Sequence, residues 1–228
     1  MADKPVFGKS DFANNPTARL PVCLCLDTSG SMSGDPIREL NSGISTLYEV
    51  IERNIKTKLS AEISIVTFGG QAQIVEDFET LDQRPEPPEL YADGLTPMGE
   101  AVNLALDILE ERKRMYKDAG IDYFQPWLVL ITDGQPEGHN PEELERAIKR
   151  TCSLITEKKL TLFPIGVEGA NLDVLSRFSP NRPPLKLQGL KFDEFFEWLG
   201  KSIERTSVSI PGEKVPLDQD GIKGWAEI

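Results

Sequence analysis

Leu20-Pro-Val-Cys-Leu-Cys-Leu26, followed at once by Asp27-Thr-Ser-Gly-Ser31, is the stretch on which the rest of the chain turns. The first seven residues form a near-continuous apolar run, the pattern of a β-strand buried on both faces of a sheet. The next five set one carboxylate and two hydroxyls, from Asp27, Ser29 and Ser31, two residues apart on the turn that leaves the strand. Closely spaced oxygen donors suit a hard divalent cation such as Mg²⁺. Taken singly, Ser29 and Ser31 also serve as turn and helix-cap residues, so the pentapeptide gains meaning only if other segments return to the same place.

Working outward, Asp35-Pro36 reads as a helix start with Asp as N-cap. Ile37, Leu40, Ile44, Leu47, Tyr48, Ile51 and Ile55 recur at helical spacing and carry that helix to about Lys56. Glu62–Phe68 reads as a strand, and Gly69-Gly70 turns it into another, about Ala72–Phe78, as an antiparallel hairpin. Pro85, Pro87 and Pro88 make Thr80–Pro97 a loop. Met98–Asp118 has helical periodicity, Trp127–Thr132 is a second fully apolar strand, and Asn140-Pro-Glu-Glu143 opens a helix to about Lys158. Leu160–Val167 reads as a strand, Leu172–Phe178 as a short helix, Leu185–Leu187 as an edge strand. Phe192–Arg205 is a last helix with Phe195, Phe196, Leu199 and Ile203 inward. Strands alternating with amphipathic helices predict an α/β fold, a doubly wound, mostly parallel central sheet of about six strands with one antiparallel edge strand. The expected organisation is a polar lead-in over residues 1–19, a domain over 20–206 and a tail over 207–228. Trp225 would pin that tail back on the domain or present it to a partner.

Composition narrows the function. The 228 residues are 39% hydrophobic and 27% charged, with a formal net charge of -12. An acidic chain disfavours nucleic acid and anionic membrane as partners. Its longest apolar runs fall well short of the ~20 residues of a membrane span. Met1–Pro5 lacks the apolar core of a signal peptide. Of three cysteines, Cys23 and Cys25 share one face of a strand and Cys152 falls on a helix, an arrangement of buried thiols in a reducing compartment rather than a disulfide. These features together predict a cytoplasmic protein.

Ligands of open α/β sheets bind outside the carboxyl ends of the strands, where strand order reverses. Three segments end there with oxygen donors. They are Asp27, Ser29 and Ser31 after the first strand, Asp133-Gly134 after Trp127–Thr132, and Thr96 in Gly94-Leu-Thr-Pro97 just before a helix. If the first and fourth strands are neighbours, the two aspartates face each other across one crevice.

Asp-x-Ser-x-Ser, a Thr in Gly-x-Thr-Pro, and Thr-Asp-Gly, in that order and on those elements, resemble the von Willebrand factor A domain, over roughly Leu20 to Arg205. The resemblance implies a Rossmann-like fold and a metal-ion-dependent adhesion site. Ser29, Ser31 and Thr96 would ligate Mg²⁺ (or Mn²⁺ or Ca²⁺) through hydroxyls, with Asp27 and Asp133 bound directly or through water. A protein partner would supply the sixth ligand, a Glu or Asp carboxylate. Within the family, Phe12–Pro16 leading into Leu20-Pro21 and Asp27–Gly34 is similar to the bacterial TerY/YegL type, which implies a cytosolic protein of tellurium-resistance, stress-response or phosphosignalling systems.

Two other readings compete with a non-catalytic binding module. Asp27 at a first-strand end could be the phosphoacceptor of a Mg²⁺-dependent phosphatase-like hydrolase, but position 29 is Ser where such sites carry a second Asp. A scaffold with a purely structural metal would bind through its tail or through the aromatic segment around Tyr116, Tyr123, Phe124 and Trp127. Gly8-Lys9-Ser10 lacks the preceding strand and earlier Gly of a phosphate-binding loop. His139, the sole histidine, reads as a surface residue that could rim the metal site, and Glu137 as a solvated loop charge.

Overall fold

A computed structural model describes residues 15–84, 86–137, 140–180, 182–213, 215–216, 219–223 and 225–227. Strands β1 (Leu20–Asp27), β2 (Ala61–Gly69), β3 (Gln71–Thr80), β4 (Trp127–Thr132), β5 (Thr161–Gly166), β6 (Leu185–Leu187) and β7 (Ala226–Glu227) form one sheet in the order β3-β2-β1-β4-β5-β6-β7. β2, β1, β4, β5 and β6 are parallel, and β3 runs antiparallel to β2 as the hairpin predicts. Every residue of β1 and β4 is buried, because helices cover both faces of a parallel sheet. Helices α1 (Asp35–Glu52) and α6 (Phe192–Ser207) cover one face. Helices α3 (Met98–Ala119), α4 (Pro141–Thr156) and α5 (Leu172–Phe178) cover the other, so the fold is doubly wound.

The alternation of β1 decides which residue enters which core. Leu20, Val22, Leu24 and Leu26 face α1 and α6, whereas Cys23 and Cys25 face α3. Both thiols are free and fully buried, and burial pushes their pKa far above the ordinary thiol range. They are packing groups. The amino-terminal end of the sheet holds a buried polar network. Glu62 accepts from Arg19 at 3.0 Å and from Arg112 at 2.6 Å, and Tyr116 donates to the same carboxylate. Arg19 N–H donates to Asp122 O and Phe124 N–H to Arg19 O, so the aromatic segment packs residues leading into β1.

Three local features depart from the expected pattern. Gly34, at φ +88°, is the N-cap of α1, and Asp35 is its first residue; only glycine adopts that backbone freely. The helix stops at Glu52 instead of running to Lys56. Asn54, extended, accepts from the N–H groups of Lys56 and Thr57 and starts a separate helix, α2 (Ile55–Ser60), leaving Ile55 exposed. β6 is an interior strand, because the tail adds β7 antiparallel to it as a second antiparallel edge.

Trp225, just before β7, is buried against Phe195 and Trp198, with ring centroids 5.0 Å and 5.4 Å away. The tail is therefore pinned on the domain through its aromatic anchor. Trp225→Ala should lower the stability measured by urea unfolding by about 3 kcal/mol, as for other buried aromatic truncations. An unchanged unfolding midpoint would show that this packing contributes nothing.

Candidate metal centre

β1 and β4 pair in parallel from Val22 opposite Trp127 to Leu26 opposite Ile131, so both strands end on the same edge of the sheet. That register brings Asp27 beside the Thr132-Asp133-Gly134 turn. The Thr132 hydroxyl donates to Asp27 Oδ2 at 2.6 Å and accepts from Gly134 N–H at 3.2 Å. The backbone N–H of Ser29 donates to Asp27 Oδ1 at 2.9 Å. A 3-10 turn, Gly30–Met32, then swings Ser31 outward, where its hydroxyl lies 3.1 Å from Ser29 Oγ and donates to Asp133 Oδ1 at 2.9 Å. Asp27, Ser29, Ser31 and Asp133 are thus linked in one hydrogen-bonded chain.

Thr96 arrives through main-chain bonds. In the loop before α3, Asp93 N–H donates to Thr28 O, Gly30 N–H to Gly94 O, and Gly70 N–H to Leu95 O. Thr96 and Glu137 exchange both backbone hydrogen bonds, at 3.1 and 3.2 Å. The loop is therefore pinned between the β1 turn, the β2–β3 hairpin and the segment after β4. Gly94, at φ +76°, passes so close to Gly70 that a Cβ would sit 2.4 Å from the Gly70 Cα. The Thr96 hydroxyl ends 4.0 Å from where a Cβ on Gly134 would lie, against the turn that carries Asp133. All five expected ligand residues converge at one sheet edge.

Thr132 was not among them. A threonine closing an apolar strand reads as β-propensity, and only the β1–β4 register reveals that it holds Asp27. Glu137 also gains a role, since its side chain is exposed while its main chain positions Thr96. His139, like Gly8-Lys9-Ser10, lies outside the described residues.

Asp27 is fully buried, and its pKa is pushed up to about 6. Burial is the main cause, opposed by the hydrogen bonds from Ser29 and Thr132 and reinforced by the charge of Asp133. Burial raises Asp133 as well, with the Ser31 hydrogen bond opposing. No Lys or Arg is among the groups acting on either carboxylate. Two desolvated acids, ringed by hydroxyls and with no Lys or Arg acting on them among the described residues, form a donor set that fits a hard divalent ion. Among the described residues no group of three or more His, Cys, Asp or Glu is gathered for a metal, so an ion here would need the hydroxyls.

The von Willebrand factor type A domain model matches residues 22–184, and the chain belongs to that family. A von Willebrand factor type A protein from Catenulispora acidiphila superimposes with a TM-score of 0.62 at 18% identity, over 83% of this chain and 43% of that one. The ArnB paralogue VWA2 of Sulfolobus acidocaldarius gives 0.53 at 18%, over 83% and 46%. The manganese-loaded TRAP protein of Plasmodium vivax gives 0.52 at 20%, over 72% and 64%. The chain thus spans less than half the length of the first two. None of the curated proteins compared with it matches. No helix among the described residues is long and apolar enough to cross a membrane.

The raised pKa of Asp27 has a thermodynamic sign. The folded carboxyl keeps its proton to about pH 6, whereas an unfolded Asp releases it near 4, so metal-free stability falls as pH rises between these values. Asp27→Asn keeps the shape and removes the charge. In EDTA at pH 8 it should be more stable than the parent by up to about 3 kcal/mol, the worth of a two-unit shift, and it should lose this part of the pH dependence. A less stable Asn variant at pH 8 would contradict the uncompensated charge.

Proposed function

We propose that this chain is a non-catalytic, metal-dependent protein-binding module in which Asp27, Ser29, Ser31, Thr96 and Asp133 hold Mg²⁺, and a Glu or Asp carboxylate of a partner protein completes the shell. The observation that carries this reading is the hydrogen-bonded chain from Asp27 through Ser29 and Ser31 to Asp133, two acids on which no Lys or Arg acts among the described residues. The bound ion would supply a Lewis-acidic position for an anionic oxygen. The protein's own groups do the rest. Thr132 and the Ser29 N–H orient Asp27, the pinned loop presents Thr96, and exposed Ser31 forms the outer lip. The Plasmodium vivax relative was solved manganese-loaded, which supports Mn²⁺ as a substitute.

Hydrolysis fits the geometry less well. The described hydrogen bonds of the site contain no Lys or His that could act as base. The TerY/YegL resemblance of residues 12–34 supports a cytoplasmic, bacterial stress-response, tellurium-resistance or phosphosignalling setting.

Titration with Mg²⁺ or Mn²⁺ should raise the melting temperature of the parent protein. Ser31→Ala, at an exposed position, should weaken metal affinity by at least about tenfold without changing the fold. Because protons compete for the same oxygens, affinity should drop about tenfold per pH unit for each proton displaced below pH 6 and level off above it. A partner retained in Mg²⁺ should leave in EDTA. Equal metal stabilisation in the parent and in Asp27→Ala would refute the assignment.

A further inference from the structure

The amino-terminal end of the sheet, opposite the candidate metal centre, carries a second cluster of polar groups. A cavity of about 190 Å³ is lined there by Gln125, Lys158, Thr161, Ser179 and Arg182 over a floor of Ile155, Leu160 and Leu162. Gln125 lies just before β4, and Thr161 is the first residue of β5. The lining holds two cations and no Asp or Glu, in a chain of net charge -12.

Arg182 extends over the Phe163 ring, with its guanidinium carbon 5.3 Å from the centroid, and has no carboxylate partner among the described residues. Desolvation alone acts on it and lowers its pKa. Lys158 is the one non-glycine residue with positive φ among those described, at +56°. It closes the carboxyl end of α4, where its N–H donates to Ile155 O and the Lys159 N–H to Leu154 O, and it lines the cavity from an exposed position. It too lacks a carboxylate partner, although its neighbour Lys159 pairs with Glu157 at 2.6 Å, and Arg177, near Arg182, pairs with Glu145 at 2.7 Å. Ser179 is 5% exposed and lines the cavity. Thr161 Oγ1 accepts from Gln125 Nε2 at 3.1 Å, which leaves its own O–H free to donate.

Two cations that pair with no carboxylate among the described residues, and the hydroxyls of Ser179 and Thr161, converge on a volume below the roughly 300–1,000 Å³ of drug-sized pockets. We propose that this cavity binds a small oxyanion of phosphate size, gripped by Arg182 and Lys158 and hydrogen-bonded by Ser179 and Thr161. An anion here would pair the cations and accept hydrogen bonds from the two hydroxyls. The overall negative charge repels anions, so saturable binding requires such a local site.

The test is a titration of ¹⁵N-labelled protein with inorganic phosphate in EDTA, which keeps the metal centre from contributing. Saturable shifts are expected at residues 160–162, 179 and 182. Arg182→Gln and Ser179→Ala should each weaken binding by at least about tenfold, the worth of one hydrogen bond to a charged group. Asp27→Ala should leave it unchanged. Lys158→Gly separates ligand loss from misfolding, because it relieves the left-handed backbone. It should melt no lower than the parent yet bind phosphate more weakly. A parallel titration with O-phosphoserine ranks a phosphorylated small molecule against free phosphate as the source. Shifts that do not saturate, or that persist unchanged in Arg182→Gln, overturn the proposal.

Discussion

The hydrogen bond from Thr132 to Asp27, 2.6 Å across the junction of β1 and β4, is the contact on which the metal centre depends. It exists because two fully apolar strands from distant parts of the chain pair in parallel and end together. Their apolar runs set where the sheet stops, and the aspartates follow there, Asp27 directly after Leu26 and Asp133 after Thr132. Burial then makes both acids costly to ionise, and the surroundings provide hydroxyl and backbone donors in place of a compensating cation. An arrangement that opposes its own ionised form is poor design for stability alone and suitable for capturing a divalent ion.

The remaining donor depends on main-chain geometry. Thr96 sits near the end of a long loop that contains four prolines, and such a loop would ordinarily wander. Here hydrogen bonds to Thr28, Gly30, Gly70 and Glu137 anchor it to three other segments. The close passage of Gly94 over Gly70 leaves no space for a side chain on Gly94. A hydroxyl on an irregular segment is thereby held as firmly as one on a strand.

Much of this was legible in the residues, for physical reasons that also define where legibility ended. Leu20–Leu26 and Trp127–Thr132 announce buried parallel strands because both of their faces are apolar. The helices show one apolar stripe each, and the oxygen donors stand out as polar residues following apolar runs. Register is not encoded so locally, and Thr132 passed as a strand residue until the pairing of β1 with β4 gave it a partner. The end of α1 was hidden because the apolar spacing continues to Ile55, while the Asn54 side chain, capping two N–H groups, breaks the helix. Two residues of β7 are too few to show a period, so β6 read as an edge. Lys158 and Arg182 lie far apart in sequence, and only the fold brings them to one cavity.

The metal centre at the carboxyl ends of the strands and the cavity at their amino ends carry opposite chemistries, two acids in the first and two cations in the second. The central claim concerns the first. A crystal soaked in Mn²⁺ and measured at the manganese edge should give one dominant anomalous peak bounded by Asp27, Ser29, Ser31, Thr96 and Asp133, and none in Asp27→Asn. No peak at that position, or an equal peak in the variant, would contradict it.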